Sequence, residues 1–198
     1  MRIKPMTSYE EYLSEQIIVS EWGKGDRLLE SIDELLKVTG QKDNMKVRIL
    51  DVGCRRGEGV RRLQEMGYTN SYGIDIGKEM FLGDEYDKYH KQCDMHDSLG
   101  FDGEFDIITI IQTLEHAYDA RKVLKNVHKQ LKDDGIVYVA IPQGEYENHA
   151  HFFAASTIDD LNPIAESAGF EVIDSIQSTD ILVPSVVDYK YFLRKKEK

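Results

Sequence analysis

The feature that most limits how this chain can fold is the alternation of short apolar runs with amphipathic segments. The strongest runs lie at residues 47–52, 105–111 and 136–141, and helical patterns at residues 58–66 and 120–131 separate them. Near-continuous apolar runs of strand length indicate strands buried on both faces, which is typical of parallel sheets covered by helices. We therefore predict an α/β fold with a doubly wound, mostly parallel sheet and helices on both of its faces.

Four weaker strand patterns bring the predicted sheet to seven strands. These patterns occupy residues 71–75, 90–93, 170–177 and 188–194. The triplet Asp133-Asp134-Gly135 predicts a turn just before the strong run at 136–141. Asn162 and Pro163 predict the N-cap and the first position of a short helix that ends before Gly169.

The first part of the chain predicts helices rather than strands. Helical patterns cover residues 8–20 and 24–38, and glycines separate them and end the second. The total length of 198 residues suits one domain with a full core. We therefore expect residues 1–45 to form an N-terminal helical cover on the same domain as the core at residues 46–198.

The charge of the chain limits its partners. The 25 basic and 36 acidic residues give a formal net charge of −11, which repels nucleic acid and anionic membranes at long range. The chain has two cysteines, no apolar signal segment at its N-terminus, and no apolar run near the roughly 20 residues of a membrane helix. We expect a cytoplasmic protein, a monomer or homodimer, that does not bind nucleic acid or membranes.

Chemically suited residues follow four of the predicted strands. The first strand leads into a glycine turn that ends at Gly57, and Asp75 follows the second strand. Asp94 follows the third strand and Gln112 the fourth. The carboxyl ends of parallel strands meet at one edge of the sheet, where such folds bind ligands. The turn does not fit the dinucleotide-binding motif, because Arg55 stands at its second glycine and Gly57 comes one position early.

These residues resemble the motifs of the class I S-adenosylmethionine-dependent methyltransferases, and among them the small-molecule type with a Leu-Glu-His sequence. The matching segments are residues 49–54 with Gly57, 72–76, 94–95, 105–108, 114–116, 123–124, 131–132, Gly135, 141–142, His149 with Phe153, and 168–173. Together they cover about residues 47–175. The resemblance implies a Rossmann-like fold, an enzyme, S-adenosylmethionine as its cofactor and S-adenosylhomocysteine as the product.

The resemblance also implies where the cofactor binds. The positions that it assigns to the cofactor are Asp51, Gly53, Cys54, Arg55, Gly57, Asp75, Ile76, Asp94, Met95 and Gln112. The backbone of residues 53–57 would hold the methionine part, with Gln112 near its amino group. Asp51 would hold a water molecule or the loop. Asp75 would accept hydrogen bonds from the ribose, and Asp94 and the methionine after it would flank the adenine.

Arg55 departs from the family motif, which has its middle glycine at this position. Its side chain could point outward, pair with the carboxylate of the cofactor, or block the pocket. The charge distribution agrees with the expected cofactor. Residues 46–70 carry a net charge of +3 and residues 71–120 a net charge of −9, and the cofactor has both a carboxylate and a positive sulfonium.

Three histidines are candidates for a catalytic base. His116 follows the fourth strand, and His149 and His151 lie in a loop predicted at residues 143–155. Imidazole titrates near pH 6.5 and can therefore accept a proton at neutral pH. Methyl transfer to a hydroxyl requires that the proton of the hydroxyl be removed. Together with the resemblance to the Leu-Glu-His type, these candidate bases predict methyl transfer to a small-molecule acceptor at oxygen, by in-line displacement.

Two other functions remain open at this point. Glu115 and His116, with one of the two later histidines, could hold a metal ion, and this run is similar to that of methyltransferases of small-RNA 3′ ends. Gln112 stands where those enzymes have their first glutamate, so the sequence predicts no metal and disfavours a metal-assisted RNA-end methyltransferase. The second alternative is a non-catalytic domain whose cofactor pocket is closed by Arg55.

Overall fold

The computed structural model describes residues 24–38, 44–77, 88–143, 151–179 and 187–197. The helices in these ranges are α1 (Lys24–Val38), α2 (Glu58–Glu65), a 3-10 helix (Leu114–His116), α3 (Ala120–Gln130) and α4 (Asn162–Ser167). The strands are β1 (Ile49–Val52), β2 (Ser71–Asp75), β3 (His90–Gln92), β4 (Phe105–Ile111), β5 (Leu131–Pro142), β6 (Phe170–Thr179) and β7 (Val187–Lys195).

The seven strands form one sheet in the order β3-β2-β1-β4-β5-β7-β6. The first five strands run parallel, while β7 is antiparallel to both of its neighbours, β5 and β6. This arrangement confirms the predicted Rossmann-like, mostly parallel, seven-stranded sheet. The strand order reverses between β1 and β4, and we call this place the switch point. Folds of this kind bind ligands there, at the carboxyl ends of the strands.

Two apolar cores cover the two faces of the sheet, as a doubly wound fold requires. Helices α1 and α2 form one core with residues such as Ile107 and Ile111 of β4. Helices α3 and α4 form the other core with Ile108 and Ile110 of the same strand. Successive residues of a strand point to opposite faces, so an unbroken apolar run supplies both cores at once.

One predicted turn is wrong. Asp133, Asp134 and Gly135 lie inside β5, which begins directly after α3. Phe105 pairs with Leu131 and Ile107 with Ile136, so β5 advances five residues while β4 advances two. The Asp-Asp-Gly sequence is accommodated as an irregularity of the strand, because a bulge takes up extra residues without ending the pairing.

The other predicted elements agree with the structure within one or two residues. The fourth helix begins at Asn162, so the N-cap is Leu161 and not Asn162. Gly169 ends this helix with a φ of 94°, a conformation that glycine adopts at little cost. The predicted helix at residues 8–20 lies outside the described residues, whereas α1 packs on the sheet in the core that it shares with α2. Within the described part of the chain, the helices are too short or too polar to span a membrane.

Candidate cofactor and catalytic site

The loop after β1 has an unusual backbone. Gly53, Arg55 and Gly57 all have positive φ, at 80°, 54° and 79°. The amides of Gly53 and Cys54 both donate to the carbonyl of Ile74 on β2, at 2.8 and 2.9 Å. The loop is therefore fastened to the neighbouring strand and held in an open curve that leads into α2, as the sequence predicts.

Each of the two glycines fits against a side chain. A Cβ atom at Gly53 would lie 2.2 Å from the Oγ1 of Thr113, and one at Gly57 would lie 2.1 Å from the Nε2 of His90. The thiol of Cys54 packs beside Gly73 in the core under the loop. Cys54 therefore presents its backbone, and not its sulfur, to the ligand side of the loop.

Asp75, at the end of β2, connects the loop to the rest of the sheet edge. Its Oδ2 accepts a hydrogen bond from the amide of Arg55 at 2.8 Å, and its Oδ1 accepts one from the amide of Gly77 at 3.1 Å. Each carboxylate oxygen has two lone pairs. The half-buried carboxylate can therefore accept further hydrogen bonds from a ligand, next to Ile76 at the mouth of the site.

Asp94 lies in a turn that is well anchored on both sides. Its Oδ1 accepts from the amide of His96 and contacts Nδ1 of the His96 ring, both at 2.8 Å. The His96 ring stacks on Tyr118, with centroids 3.7 Å apart. The side chain of Asn126 donates to the carbonyls of Met95 and His96. Oδ2 of Asp94 accepts no hydrogen bond from any residue that the structure describes.

The side chain of Arg55 does not extend into solvent, because the residue is only 8% exposed. One of the three positions that the sequence leaves open for it, the outward one, is therefore excluded. Asp51 is equally buried and accepts a 2.8 Å hydrogen bond from the hydroxyl of Thr109. The Asp51 carboxylate thus ties β1 to β4 directly beneath the loop.

Gln112 leaves β4 with a φ of 48°, the second positive φ at a residue other than glycine in the described chain. Its Nε2 donates to Oδ1 of Asp188 at 2.8 Å. Asp188 is buried at the start of β7 and pairs with Pro142 at the end of β5. The Gln112 amide therefore faces β7, while its backbone remains at the switch point between β1 and β4.

Glu115, His116 and His151 form a cluster next to this point. One ligand atom from each lies within 4.8 Å of the others. Nε2 of His116 is 3.9 Å from Oε1 of Glu115, and the two histidine rings have centroids 4.8 Å apart. Burial lowers the pKa of His151 below its usual value. His149 lies outside the described residues.

The cluster is assembled by two backbone hydrogen bonds. The amides of Phe152 and Phe153 both donate to the carbonyl of Glu115, at 2.8 and 3.1 Å. This contact fastens the segment after the undescribed residues 144–150 to the 3-10 helix. His151 therefore lies beside His116, although 34 residues separate them in the sequence.

Sequence reasoning missed several residues that shape this site. Asp188, Thr113, His96, Tyr118 and Asn126 were not predicted to take part. Nothing in their local sequence marks them, because their contacts join elements that are far apart in the chain. The positive φ of Gln112 likewise has no sequence signal, since it follows a strand of ordinary apolar residues.

The chain is similar to known methyltransferases. The family model described as "Methyltransferase domain" matches residues 24–175. A Bacillus subtilis (strain 168) protein named "Putative methyltransferase YqeM" is 31% identical over 125 residues, which are 58% of this chain and 47% of the relative. The chain therefore spans about half the length of that relative.

Solved structures share the fold across nearly the whole chain. The 1,6-didemethyltoxoflavin-N1-methyltransferase of Burkholderia thailandensis has a TM-score of 0.68 at 16% identity, covering 98% of this chain and 92% of its own. An S-adenosylmethionine-dependent methyltransferase from Clostridium acetobutylicum ATCC 824 has a TM-score of 0.66 at 13% identity, covering 94% and 97%. With the family match over residues 24–175, these findings show that the chain belongs to the class I S-adenosylmethionine-dependent methyltransferases.

Proposed function

We propose that the protein transfers a methyl group from S-adenosylmethionine to the oxygen of a small-molecule acceptor. The single observation that carries cofactor binding is the contact between Asp75 and the backbone of Arg55. It holds a carboxylate with spare lone pairs at the rim of a glycine loop, at the point where the strand order reverses. Family membership makes this edge the expected place for the cofactor.

The donors and acceptors along this edge fit the parts of S-adenosylmethionine. Asp75 can accept from two ribose hydroxyls, and Oδ2 of Asp94 can accept from the amino group of adenine. The backbone of residues 53–57, with Cys54, would hold the methionine part, and the start of α2 favours its carboxylate. When bound, the sulfonium supplies a methyl carbon whose bond to sulfur breaks as the bond to the acceptor forms.

His116 and His151 support the acceptor side of the proposal. His116 lies three residues beyond Thr113, which packs against Gly53 of the loop after β1, and His151 lies beside His116. In the proposed step an imidazole nitrogen takes the proton of the acceptor hydroxyl, and the oxygen then attacks the methyl carbon in line with sulfur. His149 remains a proposed third member of this group.

Two measurements test the proposal. Isothermal titration with S-adenosylhomocysteine should give one binding site per chain. Incubation with labelled S-adenosylmethionine and a panel of hydroxyl, amine and carboxylate acceptors should release S-adenosylhomocysteine with a hydroxyl compound. A lack of heat at millimolar ligand would contradict cofactor binding, and product formed only with amines would contradict the assignment to oxygen.

Replacing Arg55 by glycine distinguishes between the two remaining alternatives for its side chain, which are pairing with the carboxylate of the cofactor and blocking the pocket. We expect S-adenosylhomocysteine to bind about tenfold more weakly, because the guanidinium pairs with the carboxylate of the cofactor. Glycine also suits the φ of 54° at this position, so the melting temperature should not fall. Tighter binding in Arg55→Gly would mean instead that the arginine obstructs the pocket. Arg61→Gln, at a half-buried position of α2 beside Glu65, is the control for lost positive charge.

Removing the imidazole of His116 tests its role in the chemistry. With the acceptor found in the panel, His116→Ala should lower kcat about 100-fold, since general base catalysis contributes roughly that factor or more. The affinity for S-adenosylhomocysteine should change less than threefold. His128→Gln removes a histidine that packs on Phe170 outside the site and should keep its kcat. An equal fall in kcat and in cofactor affinity would point to a structural role for His116.

The alternative of an RNA substrate has a separate test. The cluster of Glu115, His116 and His151 favours a metal-assisted enzyme, whereas the net charge of −11 opposes binding to RNA. Filter binding with a short RNA duplex at several salt concentrations should therefore detect no complex. A complex that weakens steeply with salt would support the RNA-end activity.

A further inference from the structure

We propose that Glu115, His116 and His151 bind one divalent transition-metal ion such as Zn²⁺ or Mn²⁺. Two imidazoles and one carboxylate form a common donor set for these ions in enzymes. The sequence offers Glu115 and His116 with one of two later histidines, but it lacks a glutamate at Gln112 and therefore predicts no metal. The structure brings His151 back to the 3-10 helix, beside the other two residues, so three donors meet without a ligand from position 112.

The distances are close to those that an ion needs. Ligands that bind one ion at about 2.1 Å in tetrahedral geometry lie about 3.4 Å apart. Nε2 of His116 and Oε1 of Glu115, at 3.9 Å, are about 0.5 Å farther apart than this. All three ligand atoms lie within 4.8 Å of one another, so side-chain movements of up to about 1.4 Å close the site around one ion.

The backbone around the cluster holds the three side chains in a defined arrangement. Glu115 and His116 share a 3-10 helix that β4 places at the switch point, and the Glu115 carbonyl holds the amides of residues 152 and 153. Glu115 is only 3% exposed. A divalent cation balances the charge of a buried carboxylate and can bind imidazole nitrogens at the same time.

Three protein ligands leave at least one position open, which is the pattern of catalytic rather than structural sites. The Gln112 side chain is held toward β7 by the hydrogen bond from its Nε2 to Asp188. An ion there would bind the acceptor oxygen and lower the pKa of its hydroxyl. This inference rests on the proposed function and changes one part of it: the histidine nitrogens become ligands, and the ion replaces them in activating the hydroxyl.

Metal binding can be measured without any acceptor. Tag-free protein is stripped with chelator and dialysed against ZnCl₂, and bound zinc is measured by mass spectrometry; Co²⁺ in place of zinc reports its ligands by visible absorption. We expect one equivalent per chain. His116→Ala and His151→Ala should each weaken binding roughly 100-fold or more, since even second-shell changes cost 10- to 100-fold. Glu115→Gln should weaken it similarly, and His128→Gln and Glu65→Gln are the matched controls.

Folding and cofactor binding are followed on the same samples. Zinc should raise the melting temperature of the wild type and of both controls, but not of the cluster variants. Absence of zinc binding in protein that binds S-adenosylhomocysteine overturns the inference and leaves the proposed function intact. Zinc binding that the three cluster variants do not weaken overturns it as well, because the ion then lies elsewhere. Zinc binding without any binding of S-adenosylhomocysteine would support the metal site and contradict the proposed function.

Discussion

Replacing Asp75 by asparagine should weaken the binding of S-adenosylhomocysteine about 100-fold, or by about 2.7 kcal/mol. Asparagine loses the charge that strengthens hydrogen bonds from the ribose hydroxyls, each worth about 1.5–3 kcal/mol when the acceptor is ionised. It also has one acceptor oxygen where the carboxylate has two. The amides of Arg55 and Gly77 both donate to Asp75, so one of them would face the amide nitrogen of the new side chain.

The experiment is a titration of wild type and variant with S-adenosylhomocysteine, accompanied by urea unfolding. The unfolding free energy should fall by about 1.5–3 kcal/mol, the worth of one hydrogen bond to an ionised acceptor. This is less than the total stability of a typical domain, so the variant remains folded. Asp97→Asn is the matched control, since Asp97 is exposed and its carboxylate lies 3.6 Å from Nζ of Lys122. An affinity within threefold of wild type in Asp75→Asn would show that the ribose does not bind this carboxylate.

The sequence predicts the sheet well because each strong strand is marked by a continuous apolar run in its own residues. The run at Phe105–Ile111 must be buried on both faces wherever it lies, and this alone favours a central parallel strand. The failure at Asp133-Asp134-Gly135 has the opposite origin. A turn composition is a local signal, and the pairing of β5 with β4 on both sides of it is a longer-range interaction that prevails.

The residues of the candidate site also fall into those placed by local sequence and those placed by long-range contacts. Asp75 and Asp94 are predictable, because their place after a strand fixes which edge of the sheet they occupy. The side-chain state of Arg55 is not, because it depends on a left-handed backbone that the family normally assigns to glycine. The position of His151 also cannot be predicted from the sequence. It depends on two hydrogen bonds, from the amides of residues 152 and 153 to the carbonyl of Glu115, which is 37 and 38 residues earlier in the chain. Contacts of this kind do not constrain the type of the residue that makes them.

Replacing Gly53 by alanine should lower the unfolding free energy by about 3 kcal/mol. Part of this cost is the positive φ of 80°, at which alanine is strained by about 1–2 kcal/mol. The rest is overpacking, which typically costs about 1–3 kcal/mol, because the new Cβ would lie 2.2 Å from Oγ1 and 2.5 Å from Cγ2 of Thr113. Gly67→Ala measures the first part alone: its φ is 101°, and its nearest neighbour is the sulfur of Met45 at 3.4 Å.

A second substitution at Thr113 identifies the steric part. Thr113→Ala removes both atoms of the closest contacts and leaves only Cβ, which lies 2.9 Å from the new methyl group. Alone it should cost about 1 kcal/mol, since its hydroxyl donates to the carbonyl of Ile111. Combined with Gly53→Ala it should recover about 1–2 kcal/mol relative to the sum of the single changes. Additive effects in urea unfolding, or a cost of Gly53→Ala no larger than that of Gly67→Ala, would mean that Thr113 does not set the shape of this loop. The coupling is expected because the loop after β1 and the end of β4 meet at the switch point, where a single methyl group has no room.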